Sequence, residues 1–188
     1  MRNMMTTVKI AACVGAETLL GRPMGEAHLP QLLSAILRAA PDDVVYLDFG
    51  GITNMTASYI AAAIVPLLRM VAAGSLGRYL VIGGLDAHCE EELSYVLKHE
   101  HTPVLHRKPD GSFHVLGPLD DAYAQTLEAV IKRGRVTARE LHKATTSTIG
   151  QTGWIKRLTT LHDLGLVKKA KVGREFAYDS LSMEGSNG

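Results

Sequence analysis

Residues 137–178, TARELHKATTSTIGQTGWIKRLTTLHDLGLVKKAKVGREFAY, decide how this chain is organised. Thr137 stands before a helical pattern and Glu140 follows three residues later. That is the spacing of a capping box, and it predicts a helix from Thr137 to Ala144. A Thr/Ser-rich turn comes next. Trp154, Leu158 and Leu161 then recur at the steps of one buried helical face, which predicts a second helix from Gln151 to Leu164, closed by Gly165. Val167–Lys171 and Glu175–Tyr178 read as two strands around the turn Val172–Gly173–Arg174. Gly153 lies inside the second helix, where glycine costs about 1 kcal/mol against alanine. It marks either a close approach to a partner or a shifted helix start.

Outward from this stretch, Asp120–Arg133 reads as a helix with Tyr123, Leu127, Val130 and Ile131 inward and Gly134 as its stop. Val136 is expected in a short strand. Further back the chain alternates. Thr7–Val14 is an expected strand, Gly15–Gly25 an irregular connection, and Glu26–Ala40 a helix burying Leu29, Leu32, Leu33, Ile36 and Leu37. Val44–Phe49 (VVYLDF) and Tyr79–Ile82 are apolar runs of the kind that fill a sheet centre. Between them a helix is expected from Thr56 or Ser58 to about Ala73, kinked at Pro66. A helix over Glu90–His99 and two strands, Pro103–Arg107 and Ser112–Leu116, around Pro109–Asp110–Gly111 complete the pattern. This alternation predicts an α/β domain of four or five strands over residues 1–117. A small α+β domain over 118–180 and a disordered tail over 181–188 come after it, with Met1–Thr6 a frayed start.

Composition narrows the class. At 188 residues the chain has room for one medium domain or two small ones. With 46% hydrophobic and 21% charged residues it reads as globular rather than disordered. The net charge of +1 is uninformative as a total, but its distribution is not. Residues 120–180 carry 11 Lys/Arg against 7 Asp/Glu, whereas residues 1–119 carry 9 against 11. The positive excess therefore sits in the C-terminal third, as a phosphate-facing module needs. Cys13 and Cys89 form no CxxC or other metal-type spacing, so a reducing cytoplasm is expected. The apolar run before Glu17 is too short for a signal-peptide core. Tyr59–Leu68 is apolar for only ten residues before Arg69, short of the roughly 20 that span a bilayer, so no membrane is expected as a partner.

The segment from about Asp120 to Tyr178 resembles winged helix-turn-helix DNA-binding domains. The residues that carry the resemblance are Thr137–Lys143, the second-helix core Trp154, Leu158 and Leu161, and Leu164–Val167 before the wing. The resemblance implies double-stranded DNA as partner, with a helix entering the major groove and reading base edges from its N-terminal residues. Gln151, Thr152, Ile155, Lys156 and Thr159 are then the exposed contact candidates. Gln151 could read adenine bidentately, and Lys156 and Arg157 could touch phosphate or guanine. Thr145–Thr148 would lie near the phosphates. The wing would present Lys168, Lys169, Lys171 and Arg174 to the DNA backbone or minor groove. Trp154 is expected in the core. Modules of this kind also serve as protein-interaction surfaces, and that alternative stays open.

Leu47–Leu68 (LDFGGITNMTASYIAAAIVPLL) resembles the STAS family of anti-sigma factor antagonists, over about residues 7–100. The resemblance implies an α/β fold in which a strand ends in Asp, here Asp48. In that family a helix follows whose N-terminal Ser can be phosphorylated by a partner kinase, and Ser58 falls at that position. Thr56 stands where the switch form of the family has Asp, and Tyr59 where it has Gly. A phosphate on Ser58 would repel a docked partner. Thr56 and Ser58 can equally be simple helix caps.

Other constellations yield no catalytic assignment and no cofactor. His99, His101, His106, His114 and Cys89 lack HExxH or paired CxxC spacing, and the histidines read as solvated surface residues, so no metal is expected. Gly15–Gly25 is not followed by GK[ST], and Gly83–Gly84 is not a GxGxxG. Asp48 has no visible nucleophile or base beside it, so the chain does not read as an enzyme. The expectation is a cytoplasmic, homodimeric DNA-binding regulator of transcription, with an α/β domain for dimerisation, sensing or docking. The alternative is a signalling adaptor that binds a kinase, an ATPase or another protein. After the wing the tail is too short for a dimerisation helix, which leaves residues 1–119 or the Asp120–Arg133 helix to form the dimer.

Overall fold

The computed structural model describes residues 5–146 and 148–182. Residues 1–4 of the expected frayed start, Ser147 of the turn and residues 183–188 of the expected tail lie outside the described residues. The chain divides into two compact units, Met1–Pro118 and Leu119–Gly188.

The N-terminal unit is mixed α/β. Strand β1 (Thr6–Lys9) leads into helix α1 (Ile10–Val14), then β2 (Thr18–Leu19) and helix α2 (Gly21–Ile36). Next come β3 (Val44–Asp48), β4 (Asn54–Met55), helix α3 (Ala57–Tyr59), a π-helical segment at Ile60–Ile64 and helix α4 (Val65–Ala72). Strand β5 (Tyr79–Gly83), helix α5 (Ala87–His99) and the hairpin β6 (Val104–Arg107) and β7 (Phe113–Leu116) complete it. The main sheet runs β1-β3-β5-β6-β7, parallel except for the antiparallel β7, and β2 pairs in parallel with β4 as a separate two-stranded ribbon.

The fold departs from the sequence expectations at several points in this unit. The strand at Thr7–Val14 stops at Lys9, because Ala11 and Ala12 favour helix and Gly15, at φ 68, closes a five-residue turn of it. The connection at Gly15–Gly25 is ordered, holding β2 and the first five residues of α2, Gly21–Gly25. Pro23 sits in the first turn of α2, where its missing N–H costs nothing. Gly25 lets α2 approach the next helix closely, since a Cβ there would lie 2.8 Å from Ala62 Cβ and 3.0 Å from Tyr59 O. The helix ends at Ile36 rather than Ala40, so Leu37 is left exposed while Leu32 and Ile36 are buried. Pro66 produces no simple kink. It cannot donate to Ala62 O, and the chain widens into the π segment just before it, with Val65 N–H bonded back to Ile60 O.

One face of the sheet carries Val45 and Leu47 of β3 beside Leu80 and Ile82 of β5, all in the main apolar cluster with Tyr59, Ile60 and Ile64. Register extends that face to the hairpin. Ile82 pairs with His106, and His106 pairs with His114 across the hairpin. Both imidazoles therefore share the face of the core residues. Helix α5 buries Cys89, Leu93, Val96 and Leu97. It begins at Ala87 rather than Glu90, because Asp86 caps it by accepting from Cys89 N–H at 2.7 Å.

The C-terminal unit holds helix α6 (Asp121–Arg133), strand β8 (Arg135–Thr137), helix α7 (Ala138–Ala144), helix α8 (Gln151–Asp163), β9 (Val167–Val172) and β10 (Glu175–Ser180). Its sheet is antiparallel in the order β8-β10-β9. The capping box forms as read, with Thr137 Oγ1 accepting from Glu140 N–H at 3.2 Å and Glu140 Oε2 accepting from Thr137 N–H at 2.7 Å. Leu127, Val130, Leu141, Trp154, Leu158, Leu161, Val167, Ala177 and Tyr178 are buried. Tyr123 and Ile131 are only half-buried, and Thr126 takes the inward place with its hydroxyl bonded to Ala122 O. The sheet is longer than expected. Ser180 pairs with Val167 and donates to Gly134 O at 2.7 Å, and Leu181, expected in a tail, is buried.

Candidate nucleic-acid interface

Helix α8 divides its residues sharply. Trp154, Leu158 and Leu161 face inward. Gln151, Thr152, Ile155 and Lys156 are exposed and, at steps of one, three and four residues, form one row on the N-terminal half of the helix. Ile155 is 47% exposed, an unusual degree for an isoleucine. Among the described residues no side chain caps the helix at Gly150, and the first turn carries no acidic group. Its leading N–H groups and the positive end of the helix dipole thus face outward without a neutralising charge.

Two residues expected on that row are elsewhere. Thr159 is half-buried and shares a 3.1 Å hydrogen bond with Tyr178 OH, because position 159 has rotated toward the sheet. Arg157 is also half-buried. Its guanidinium lies 5.5 Å from the Trp154 ring centre, and Nη1 donates to Ala122 O of α6 at 3.5 Å. It anchors α8 to α6 instead of facing outward with Lys156. Gly153 has an internal reason. A Cβ there would lie 2.5 Å from Ile149 Cγ2, so the glycine admits the preceding turn.

The turn before α8 is partly committed. Thr145 Oγ1 donates to Leu141 O at 2.8 Å, whereas Thr146 and Thr148 are exposed. In the hairpin, Lys171 and Arg174 are exposed on either side of the tip, where Gly173 adopts φ 62. Lys168 and Lys169 are half-buried. Lys169 Nζ lies 4.4 Å from the centre of the Phe176 ring, so its charge is partly engaged by an aromatic face. Arg135 is committed to Asp179 through two hydrogen bonds of 2.5 and 2.9 Å, which hold its guanidinium charged. Among the expected cations, Lys156, Lys171 and Arg174 thus stay exposed.

In the N-terminal unit, Ser58 is exposed in α3, with its Oγ 3.3 Å from Thr56 Oγ1. Thr56 occupies the N-cap position but makes no side-chain cap bond. Its hydroxyl instead accepts from Gly21 N–H at 2.9 Å and ties the start of α2 to the start of α3. Neither residue is therefore a helix cap by hydrogen bonding. Asp48 accepts from Gly50 N–H at 2.9 Å. Gly84, at φ 71, brings its backbone so close to Asp48 Oδ1 that a side chain there would collide with the carboxylate. Tyr59 is buried, its hydroxyl 3.0 Å from His28 Nδ1, and burial pushes the phenol up to about 12.

The histidines correct the sequence reading. His99 and His101 are exposed as expected, but His106 is only 1% exposed. His106 Nδ1 lies 3.5 Å from His114 Nε2, and Glu90 Oε1 lies 3.8 Å and 3.3 Å from those two atoms. Burial lowers both imidazole pKa values below the ordinary histidine range, so the rings are neutral at neutral pH. The sequence carried one unused signal. His106 and His114 are equally spaced about Asp110, the middle of the predicted turn, so an antiparallel hairpin had to set them opposite each other. The contribution of Glu90 from α5 had no such local mark.

The chain matches no family model, and neither a curated protein nor a solved structure is significantly similar to it. Among the described residues no helix is long and apolar enough to cross a membrane.

Proposed function

We propose that the chain is a DNA-binding transcriptional regulator. In this reading the C-terminal unit is a winged helix and α8 enters the major groove of duplex DNA. The carrying observation is the exposed row Gln151, Thr152, Ile155 and Lys156 on the N-terminal half of α8, which no side chain among the described residues caps. Gln151 has the paired donor and acceptor that match an adenine edge. Ile155 offers an apolar contact to a thymine methyl, and Lys156 a phosphate or guanine contact. The exposed hairpin tip with Lys171 and Arg174 serves the backbone or minor groove. The N-terminal unit is read as STAS-like, a dimerisation, sensing or docking module in which exposed Ser58 is the candidate phosphorylation site.

Only three expected cations stay exposed on the two DNA-facing elements. A single copy therefore binds weakly, and a homodimer reading two half-sites supplies the missing contacts. Selection of duplexes from a randomised pool by the full chain should enrich a short motif in two copies, and the Gln151→Ala variant should lose preference at one base pair per copy. Enrichment of no motif rejects the reading.

A second reading rests on a separate observation. Val172 and Phe176 of the hairpin are 52% and 48% exposed, and with Ile155 they are large apolar groups on an otherwise polar surface. Such groups suit a protein partner, as in a signalling adaptor. Substituting Val172 and Phe176 by Thr should leave DNA binding intact under the first reading and abolish partner binding under the second.

A further inference from the structure

Glu90 of α5, His106 of β6 and His114 of β7 bring three donor atoms within 3.8 Å of one another. We propose that His106 Nδ1, His114 Nε2 and Glu90 Oε1 bind a divalent first-row transition ion of the zinc type, with a further coordination position open to solvent.

The geometry is quantitative. The three atoms are 3.3, 3.5 and 3.8 Å apart. These separations are long for hydrogen bonds, whose N–H···O distances cluster near 2.9–3.0 Å. They are the right separations for ligands that share an ion. Two donors at about 2.05 Å from zinc in tetrahedral array are about 3.3 Å apart. The circle through the three atoms has a radius of about 2.1 Å, so an ion can sit within bonding distance of all three without moving the backbone.

The chemistry agrees. Two imidazoles and one carboxylate form a mixed N/O set that suits zinc, nickel, cobalt or ferrous ions over calcium or magnesium, which prefer all-oxygen shells. The far nitrogens, His106 Nε2 and His114 Nδ1, are buried without a hydrogen-bond partner among the described residues. With the ring protons on those far nitrogens both near nitrogens present lone pairs, and the ion's bonds then have to offset two buried N–H groups that lack an acceptor among the described residues. The fold fixes the rings. Direct pairing across the hairpin holds the two histidines opposite each other, and the sheet buries His106. His114 and Glu90, at 30% and 35% side-chain exposure, leave one side open to solvent for the remaining coordination position. Cys89 is no ligand, since its thiol is turned toward Ile52 O and burial holds it protonated, with a pKa pushed up to about 12.

The test is a titration of the chelator-stripped full chain with cobalt(II), followed by its visible absorption bands. One equivalent should saturate the signal, and one equivalent of zinc should displace it. His114→Ala and Glu90→Gln should each weaken binding by roughly tenfold or more, since even outer-shell losses cost that much, while His99→Ala, at an exposed histidine, should not. Far-UV circular dichroism checks that each variant is folded. If His114→Ala unfolds, Glu90→Gln decides, because it keeps the shape of a half-exposed side chain. The absence of a saturable cobalt spectrum, or unchanged binding in folded Glu90→Gln, overturns the proposal.

Discussion

In the C-terminal unit the candidate contact groups come from two contiguous stretches, and each projects from an element whose other residues build the core. Gln151 and Lys156 are exposed on the helix that buries Trp154 and Leu158. In the N-terminal unit Glu90, His106 and His114 come from a helix and two strands and meet only because sheet register and helix docking bring them together. The first arrangement is a surface, adjustable residue by residue without disturbing the fold. The second is a junction, inseparable from the fold that makes it. The same side-chain chemistry therefore carries different consequences in the two places.

Substitutions can break or sharpen this contrast. The largest effect belongs to the N-terminal interior. Tyr59→Ala removes a fully buried ring together with its contact to His28 and should cost about 3–5 kcal/mol of stability, read from denaturant unfolding of the full chain. A loss below about 1 kcal/mol would mean that Tyr59 is not part of a tight core. On the C-terminal surface, Gln151→Ala should leave stability within about 0.5 kcal/mol but cost about 1–3 kcal/mol of discrimination at one base pair. Thr137→Ala lies between these extremes. It removes half of the capping box and should cost about 1 kcal/mol, visible as a lower unfolding midpoint. The smallest effect is expected for Arg139→Ala. Its ion pair to Glu175, at 3.8 Å, is solvent-exposed and should be worth well under 1 kcal/mol in the same unfolding measurement.

The contrast also explains what the sequence made legible. The capping box, the helix core at Trp154, Leu158 and Leu161, and the hairpin strands are local patterns, and each is where its spacing said. Parallel strands β3 and β5 were visible as apolar runs, because both faces of a central strand are covered. Rotational detail within a helix was harder. Thr159 and Arg157 differ from the exposed row by a fraction of a turn, and what turns them inward is Tyr178 and α6, far away in sequence. The π segment before Pro66 and the early start of α2 were hidden by Pro and Gly, which read as breaks but are tolerated in a first turn or a widened one. Tertiary junctions were the least legible. The histidine pair could be drawn from hairpin symmetry, but no sequence pattern placed Glu90 beside it.

Duplex DNA binding by the C-terminal unit, through exposed cations on α8 and the hairpin, is the proposed activity. Its most direct test is a titration of the full chain against duplex DNA at two salt concentrations, for the natural sequence and for the Lys171→Ala/Arg174→Ala double variant. Log affinity should fall linearly with log salt, and the double variant should bind more weakly to every sequence, with a slope shallower by about 2. No duplex binding at low salt, or an identical slope in the double variant, would contradict the account.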